Sequence, residues 1–231
     1  MNKYLRLILP TIAIVFFFNA VATETSAQDV LRKILKRMDD NNKSLTSLKG
    51  NIKMAKHDSV LGETDLTEGE INYLPGRSQK QIYVRIDWAK PVVEHLAVAN
   101  GQYVLYRPKT NQAIVGKVDS AKGSAKTGGA LAFMTMSKAE LSANYKVDYV
   151  GDETVNSGVN TFHLKLTPLK PTSYKSADLW VDANGMPVQA TVVEKNNDTT
   201  TILLSNVQKN ATIKASVFKI SPPKNVKIVQ G

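Results

Sequence analysis

The chain contains no cysteine. That absence alone excludes a disulfide scaffold, a thiolate zinc or iron–sulfur centre, a cysteine nucleophile and a lipid-modified N-terminal cysteine. Histidine is nearly as scarce. His57, His95 and His163 are the 3 present, no two stand at a metal-ligand spacing, and there is no HExxH. His163 alternates with Phe162 and Leu164 and so should face away from the apolar side of its strand. There is no GxSxG elbow. Gly123-Ser124-Ala125-Lys126-Thr127-Gly128 superficially suggests a phosphate loop, but it lacks the terminal Gly-Lys-Ser/Thr and no apolar strand leads into it. No catalytic set, metal site or cofactor is expected, and the chain is read as a non-enzyme.

Long apolar runs are also missing, with one informative near-exception. Leu7 to Ala22 carries no charge for 16 residues, follows Lys3 and Arg6, and is interrupted by Pro10 and Asn19. A membrane span needs about 20 apolar residues. A positive start, a short apolar stretch and the small-residue endings Ala20-Val21-Ala22 and Thr25-Ser26-Ala27 are instead the pattern of a cleaved export signal. Residues 1–27 are therefore read as the signal, with cleavage after Ala27 preferred to Ala22, and residues 28–231 as one domain. With no cysteine after the signal, the exported protein is expected to be soluble in the periplasm, not lipid-anchored.

Lys and Arg total 30 against 20 for Asp and Glu, a formal charge of +10. The charges are spread along the chain and no nucleic-acid-binding motif accompanies them, so nucleic acid is not an expected partner. Such a balance suits anionic lipid or acidic protein surfaces.

Residues 28–42 read as an amphipathic helix, with Val30, Leu31, Ile34, Leu35 and Met38 on one stripe and Arg32, Lys33, Lys36 and Arg37 on the other. The basic face is either solvated or a contact for an acidic membrane or partner. Strands follow. Gln81 to Trp88 alternates strictly, and Val92–Ala99 turns at Asn100-Gly101 into Gln102–Tyr106. Further strands are expected at Gln112–Val118, Lys146–Val150, Thr161–Leu166, Ala177–Asp182, Pro187–Glu194, Thr199–Val207 and Phe218–Ile220. Short turns between strands indicate an antiparallel meander. Lys117–Gly129, rich in lysine and glycine, reads as a mobile loop, and Ala130–Asn144 as a second helix.

Several segments in this order resemble the periplasmic outer-membrane lipoprotein carrier (LolA) family. They are Ser44–Ile52 after the first helix, Gly69–Gly76, Arg85–Pro91 with Asn100–Pro108 and Asn111-Gln112, the stretch around Leu131 to Met136, and Phe218–Ile228. The resemblance implies an α+β, mainly β fold: an incompletely closed antiparallel half-barrel covered by a lid of α-helices, with a hydrophobic cavity between them. It implies a carrier that binds the acyl chains of lipoproteins released from the inner membrane and delivers them to the outer membrane. Acylated lipoproteins, an inner-membrane release complex and an outer-membrane acceptor would then be its partners, and it would act as a monomer. A lipid- or lipoprotein-sensing regulatory protein of the same fold is the alternative. Leu74 precedes Pro75 where the best-known carriers have a lid-tying arginine, a departure that implies a divergent branch.

On that fold, the inward residues of the alternating strands are the candidate cavity lining: Ile82, Val84, Ile86, Trp88, Leu96, Val98, Phe162, Leu164, Leu166, Leu179 and Val181. The lid candidates are Leu31, Ile34, Leu35, Leu131, Phe133, Met134 and Met136. The same pattern fits ordinary core at each of these positions. The methionines suit variable apolar ligands, because an unbranched thioether adapts its shape. Trp180, between Leu179 and Val181, is expected on the outer face.

Overall fold

The computed structural model describes residues 22–76, 82–117 and 132–231. The expected export signal up to Val21, the loop from Val118 to Gly129, the phosphate-loop look-alike within it and lid candidate Leu131 lie outside the described residues.

Helix α1 (Ala22–Ser44) opens the fold and runs through the expected cleavage point. Six strands follow: β1 (Leu48–His57), β2 (Thr64–Leu74), β3 (Tyr83–Lys90), β4 (Glu94–Ala99), β5 (Gln102–Arg107) and β6 (Gln112–Lys117). A short helix α2 (Lys138–Asn144) leads into β7 (Tyr145–Thr154), β8 (Asn160–Pro168), β9 (Tyr174–Asp182), β10 (Pro187–Glu194), β11 (Thr199–Lys209) and finally β12 (Lys227–Gln230). The strands form one open sheet in the order β12-β6-β5-β4-β3-β2-β1-β11-β10-β9-β8-β7. β1–β6 and β7–β11 are each a meander, and the two are joined where β1 pairs with β11, from Leu48 opposite Lys209 to His57 opposite Thr199. Only β12, laid on β6, pairs in parallel among the described strands.

The period of two sorts each strand between the faces. Val84, Ile86 and Trp88 are buried on the inner face, while Tyr83, Arg85 and Asp87 point outward. The register lines inner residues into rows across strands, such as Leu164, Leu179, Ala190, Ile202 and Met54. Helix α1 meets this face with the expected stripe, and Arg32, Lys33, Lys36 and Arg37 are exposed. The β9–β10 turn fastens it. Gly185 stands at φ +83°, and a Cβ there would fall on the backbone carbonyl of Arg37.

Two expectations are corrected. Ala130–Asn144 is not one helix: among the described residues, 132 and 133 are helical, the chain turns over 134–136, and α2 starts afresh after Ser137. Ser137 and Glu140 form a capping box, each side chain holding the other's backbone amide, which marks a helix beginning at that point. Phe218–Ile220 is not a strand either. Ala215–Phe218 is a 3-10 turn whose Phe218 ring lies 5.8 Å from that of Tyr83 on the outer face. Pro222 and Pro223 cannot donate to a ladder, so pairing resumes only at Lys227.

The outer face carries the histidines in polar clusters. His95 Nδ1 is 2.5 Å from Asp87, Arg85 bridges to the same carboxylate at 2.6 Å, and the His95 ring stacks on Tyr106. His163 sits between Asp178 at 2.9 Å and Glu153 at 3.3 Å and stacks on Trp180, with ring centroids 4.4 Å apart. Trp180 thus lies on the outer face as expected, but His163 covers it and it is only 9% exposed.

Gly185→Ala should destabilise the fold by about 2–4 kcal/mol in thermal denaturation, since positive φ and a backbone clash add. Gly158→Ala, also at positive φ but with open space around it, should cost only about 1–2 kcal/mol. The outer face makes a second prediction, on pH. Burial pushes the Asp87 carboxyl up, but Arg85 and His95 more than offset it and leave it below its ordinary value. A depressed native value means that this stabilisation is present above the unfolded-state value of about 4 and is lost as pH falls through the native one. Asp87→Asn should therefore lower stability at neutral pH and flatten the acid limb of a pH–stability profile.

Candidate functional site

The inner face and its cover are the apolar surfaces that bear on function. Ile34, Leu35 and Met38 of α1 are buried against the sheet, with Val30 and Leu31 partly buried beside them. Asn41 continues this stripe. Its amide donates to the Met186 sulfur at 3.6 Å, and its carbonyl accepts from Lys209 Nζ at 3.1 Å. Asn42 donates to the Met136 carbonyl at 3.1 Å, tying α1 to the 132–136 turn.

That turn is anchored by Phe133, 3% exposed, set edge-on to Tyr145 and Tyr174 at 5.6 and 5.8 Å. Edge-to-face rings at this separation attract beyond their area burial. The two tyrosine hydroxyls meet at 2.6 Å. Burial, then this hydrogen bond, pushes the Tyr174 hydroxyl well above its ordinary range. Tyr73, on the inner face of β2, is pushed up to about 12 by burial alone. Both stay neutral across the physiological range and act as apolar walls with a polar tip.

The structure brings the candidate residues into one cluster. Of the strand candidates, Val84, Ile86, Trp88, Leu164, Leu166, Leu179 and Val181 are buried, and Ile82, Leu96, Val98 and Phe162 are partly buried against them. Of the lid candidates, Ile34, Leu35, Phe133 and Met134 are buried and Leu31 and Met136 partly so. Leu164, Leu166, Leu179, Val181 and Met38 have no accessible surface at all. A side chain in that state adjoins no water-sized void, so this half of the face is filled by direct packing. The other half is thinner. Leu96, Leu105 and Ile114, which register places in one inner row, are only partly buried among the described residues.

Sequence reasoning missed the middle of the face. Ile52 and Met54 of β1, Ile71 and Tyr73 of β2, and Ile202 and Leu204 of β11 are all buried in the same cluster. The signal was present as apolar residues at a spacing of two, diluted by the lysines and threonines of the outer side. A shallow pocket of about 330 Å³ opens at the β7–β8 rim, lined by Asp152, Glu153, Thr154, Asn160, Thr161, Phe162 and Ala183. Its lining includes the carboxylates of Asp152 and Glu153, which an acyl chain would have to desolvate. Among the described residues there is no cluster of side chains able to hold a metal ion, and no helix is long and apolar enough to cross a membrane.

No curated protein matches the chain in sequence. Solved structures share the fold at low identity. A conserved protein from Thermus thermophilus is 12% identical with a TM-score of 0.54, over 87% of this chain and 99% of that one. Pseudomonas aeruginosa MucB is 15% identical with a TM-score of 0.53, over 89% of this chain and 66% of that one. The Mycobacterium tuberculosis lipoprotein LppX is 15% identical with a TM-score of 0.50, over 80% of this chain and 98% of that one. The sequence pattern of the outer membrane lipoprotein carrier protein LolA matches residues 79–221, more than half of the chain. With one open sheet, an apolar inner face and that match, the chain belongs to the LolA family.

Proposed function

We propose that the protein is an exported carrier that takes up the acyl chains of lipoproteins leaving the inner membrane and hands them to the outer membrane. Acylated lipoproteins, a release complex in the inner membrane and an acceptor in the outer membrane are its partners on this reading. The observation that supports it is the covering of the inner face. A continuous apolar surface is covered in part by one amphipathic helix and the 132–136 segment, secured by apolar packing and a few hydrogen bonds without an ion pair.

Acyl chains cannot cross water unaided, since each exposed methylene costs about 0.8 kcal/mol. The inner face offers them the same environment that α1 and Phe133 now occupy. Uptake exchanges one apolar cover for another, so the net free energy of moving the cover stays small although each surface is large. Chains would enter from the thinly covered side, over Leu96 and Val98, and displace Phe133, Met134 and Met136 as they advance toward Trp88. Flexible methionines at that front adapt to different chain lengths.

Two measurements test this. Titration with a triacylated lipopeptide should change the fluorescence of Trp88 saturably, because Trp88 is on the inner face. Trp180, held on the outer face by His163 and by a 2.7 Å hydrogen bond to Glu153, should respond little. Single-tryptophan variants separate the two signals, and silence at Trp88 with lipopeptide bound would remove this face from the site. Phe133→Glu places a charge where a buried ring now packs, at a cost of several kcal/mol for the closed cover. The barrel should stay folded by circular dichroism, while retention of lipoprotein in the soluble fraction of spheroplasts is lost. Normal retention by the folded variant would show that the 132–136 turn does not cover the chains.

A further inference from the structure

Exposed apolar side chains are concentrated at one end of the sheet. The strand registers put the β1–β2, β3–β4, β5–β6, β8–β9 and β10–β11 connections together at that end. Val60 and Leu61 in the first connection are 85% and 68% exposed, Val92 and Val93 in the second 37% and 46%, and Leu169 in the fourth 59%. Val150, Val159 and Ile228 are the large exposed apolar residues elsewhere than this end and the adjoining Leu66, among the described residues.

The Val60-Leu61 tip is held outward by its hydrogen bonds. Asp58 Oδ1 accepts from the backbone amides of both Val60 and Leu61 at 2.9 Å. The Ser59 amide donates to Asp198 Oδ1 at 3.0 Å and its hydroxyl to the Asn196 carbonyl at 2.7 Å, which ties the tip to the β10–β11 connection. A loop built this way cannot fold its aliphatic pair back onto the protein, so both side chains stay in water until something covers them.

We propose that this end of the sheet is a membrane-touching surface, with the Val60-Leu61, Val92-Val93 and Leu169 tips entering the headgroup–acyl boundary of a lipid layer. Two features favour lipid over a folded partner. The tips stand on separate connections, two and four strands apart, which at about 4.8 Å per strand means about 10 and 19 Å. A fluid layer admits separate aliphatic wedges at any spacing, whereas a folded partner needs a matched pocket for each. The charge around the tips is also complementary to lipid phosphate. Lys109, Lys170 and Lys195 are exposed on three of the connections. Asp58 and Asp198 instead turn onto amides of the loops, and Glu94 pairs with Arg107, so Glu63 and Asp65, beside the first tip, are the carboxylates left facing water there. The surface is distinct from the inner face, and the carrier reading stands whether or not these tips meet lipid.

The test uses protein purified from the exported fraction of its host. Leu61→Trp places a reporter at the tip, and vesicles of phosphatidylethanolamine and phosphatidylglycerol should shift its emission to the blue. Lipids brominated in the acyl chain should quench it. The double substitution Val60→Ser with Leu61→Ser should lower vesicle flotation about tenfold or more. Both variants keep the Asp58 and Ser59 hydrogen bonds, none of which uses the side chain of residue 60 or 61, and circular dichroism verifies the fold. Unchanged emission of the Leu61→Trp reporter with vesicles, or equal flotation of the double variant, overturns the proposal. So does a dimer in sedimentation that the double variant loses without any quenching by lipid, which would assign the tips to a second copy of the chain.

Discussion

Everything in this molecule follows from having to cover one apolar face of a single open sheet. Twelve strands at about 4.8 Å spacing make a sheet about 55 Å wide if flattened. Helix α1 has 23 residues and reaches about 35 Å at 1.5 Å per residue. One helix cannot cover such a sheet. The consequence is visible in the burial. Leu164, Leu179 and Val181, in β8 and β9, are sealed completely, while Leu96, Leu105 and Ile114, in β4 to β6, are partly open among the described residues. The bulges at Lys49/Asn51, Glu68/Gly69 and Tyr149/Gly151 bend the strands and bring more of the face within reach of a short cover. At the second of these, a Cβ on Gly69 would collide with the backbone of Asp87 and Trp88, so a side chain there would push β3 away.

The two faces are stabilised by different physics. The inner face depends on apolar area and close packing, and its polar contacts are few: Asn41, Asn42, the Lys209 ammonium on Asn41 and the Tyr145–Tyr174 hydroxyl pair. The outer face depends on charge. Asp87 and Arg85 with His95, and Glu153 and Asp178 with His163, form networks that cover Tyr106 and Trp180 respectively. The chain after β11 adds Phe218 over Tyr83 on the same side and then β12 along the sheet edge. None of these outer networks includes a residue of α1 or of residues 132–136, so a cover that opened, as the proposed carrier function requires, would leave them in place.

What could be read from the sequence divides along the same line. Alternation in Ile82–Trp88 and Phe162–Leu166 identified the inner face of β3 and β8, because buried positions there are large and uniformly apolar. β1 and β2 were harder, since LKGNIKMAKH and TDLTEGEINYL carry their few inner residues among lysines, threonines and acids that face water. The stripe of α1 was legible residue by residue, as the period of 3.6 is strict there. The start of α2 was encoded in Ser137-x-x-Glu140 but was overridden by the apolar run before it, which sits in a turn because Phe133 is drawn into the tyrosine pair. Pairing of β1 with β11, across more than 140 residues, has no local signature at all. The latch residues Asn41 and Asn42 were read as the end of the helix, although they sit within its last turns and act through contacts that only the tertiary fold creates.

Leu74, at the position where the resemblance implies a lid-tying arginine, fits this division. A buried ion pair holds tightly when closed, but opening it leaves each charge to be rehydrated separately, and removing one partner from a buried pair costs several kcal/mol. Here the described contacts between α1, the 132–136 turn and the sheet include two charged groups, Lys209 on Asn41 and Arg37 over the Phe162 ring at 5.7 Å. Both partners are neutral, so separating these contacts strands no opposite charge in an apolar setting. On the proposed carrier function, the cover would be governed by apolar area, the same quantity that an acyl chain brings to the face. On that proposal, a cover whose hold is measured in methylenes would respond to how many methylenes replace it.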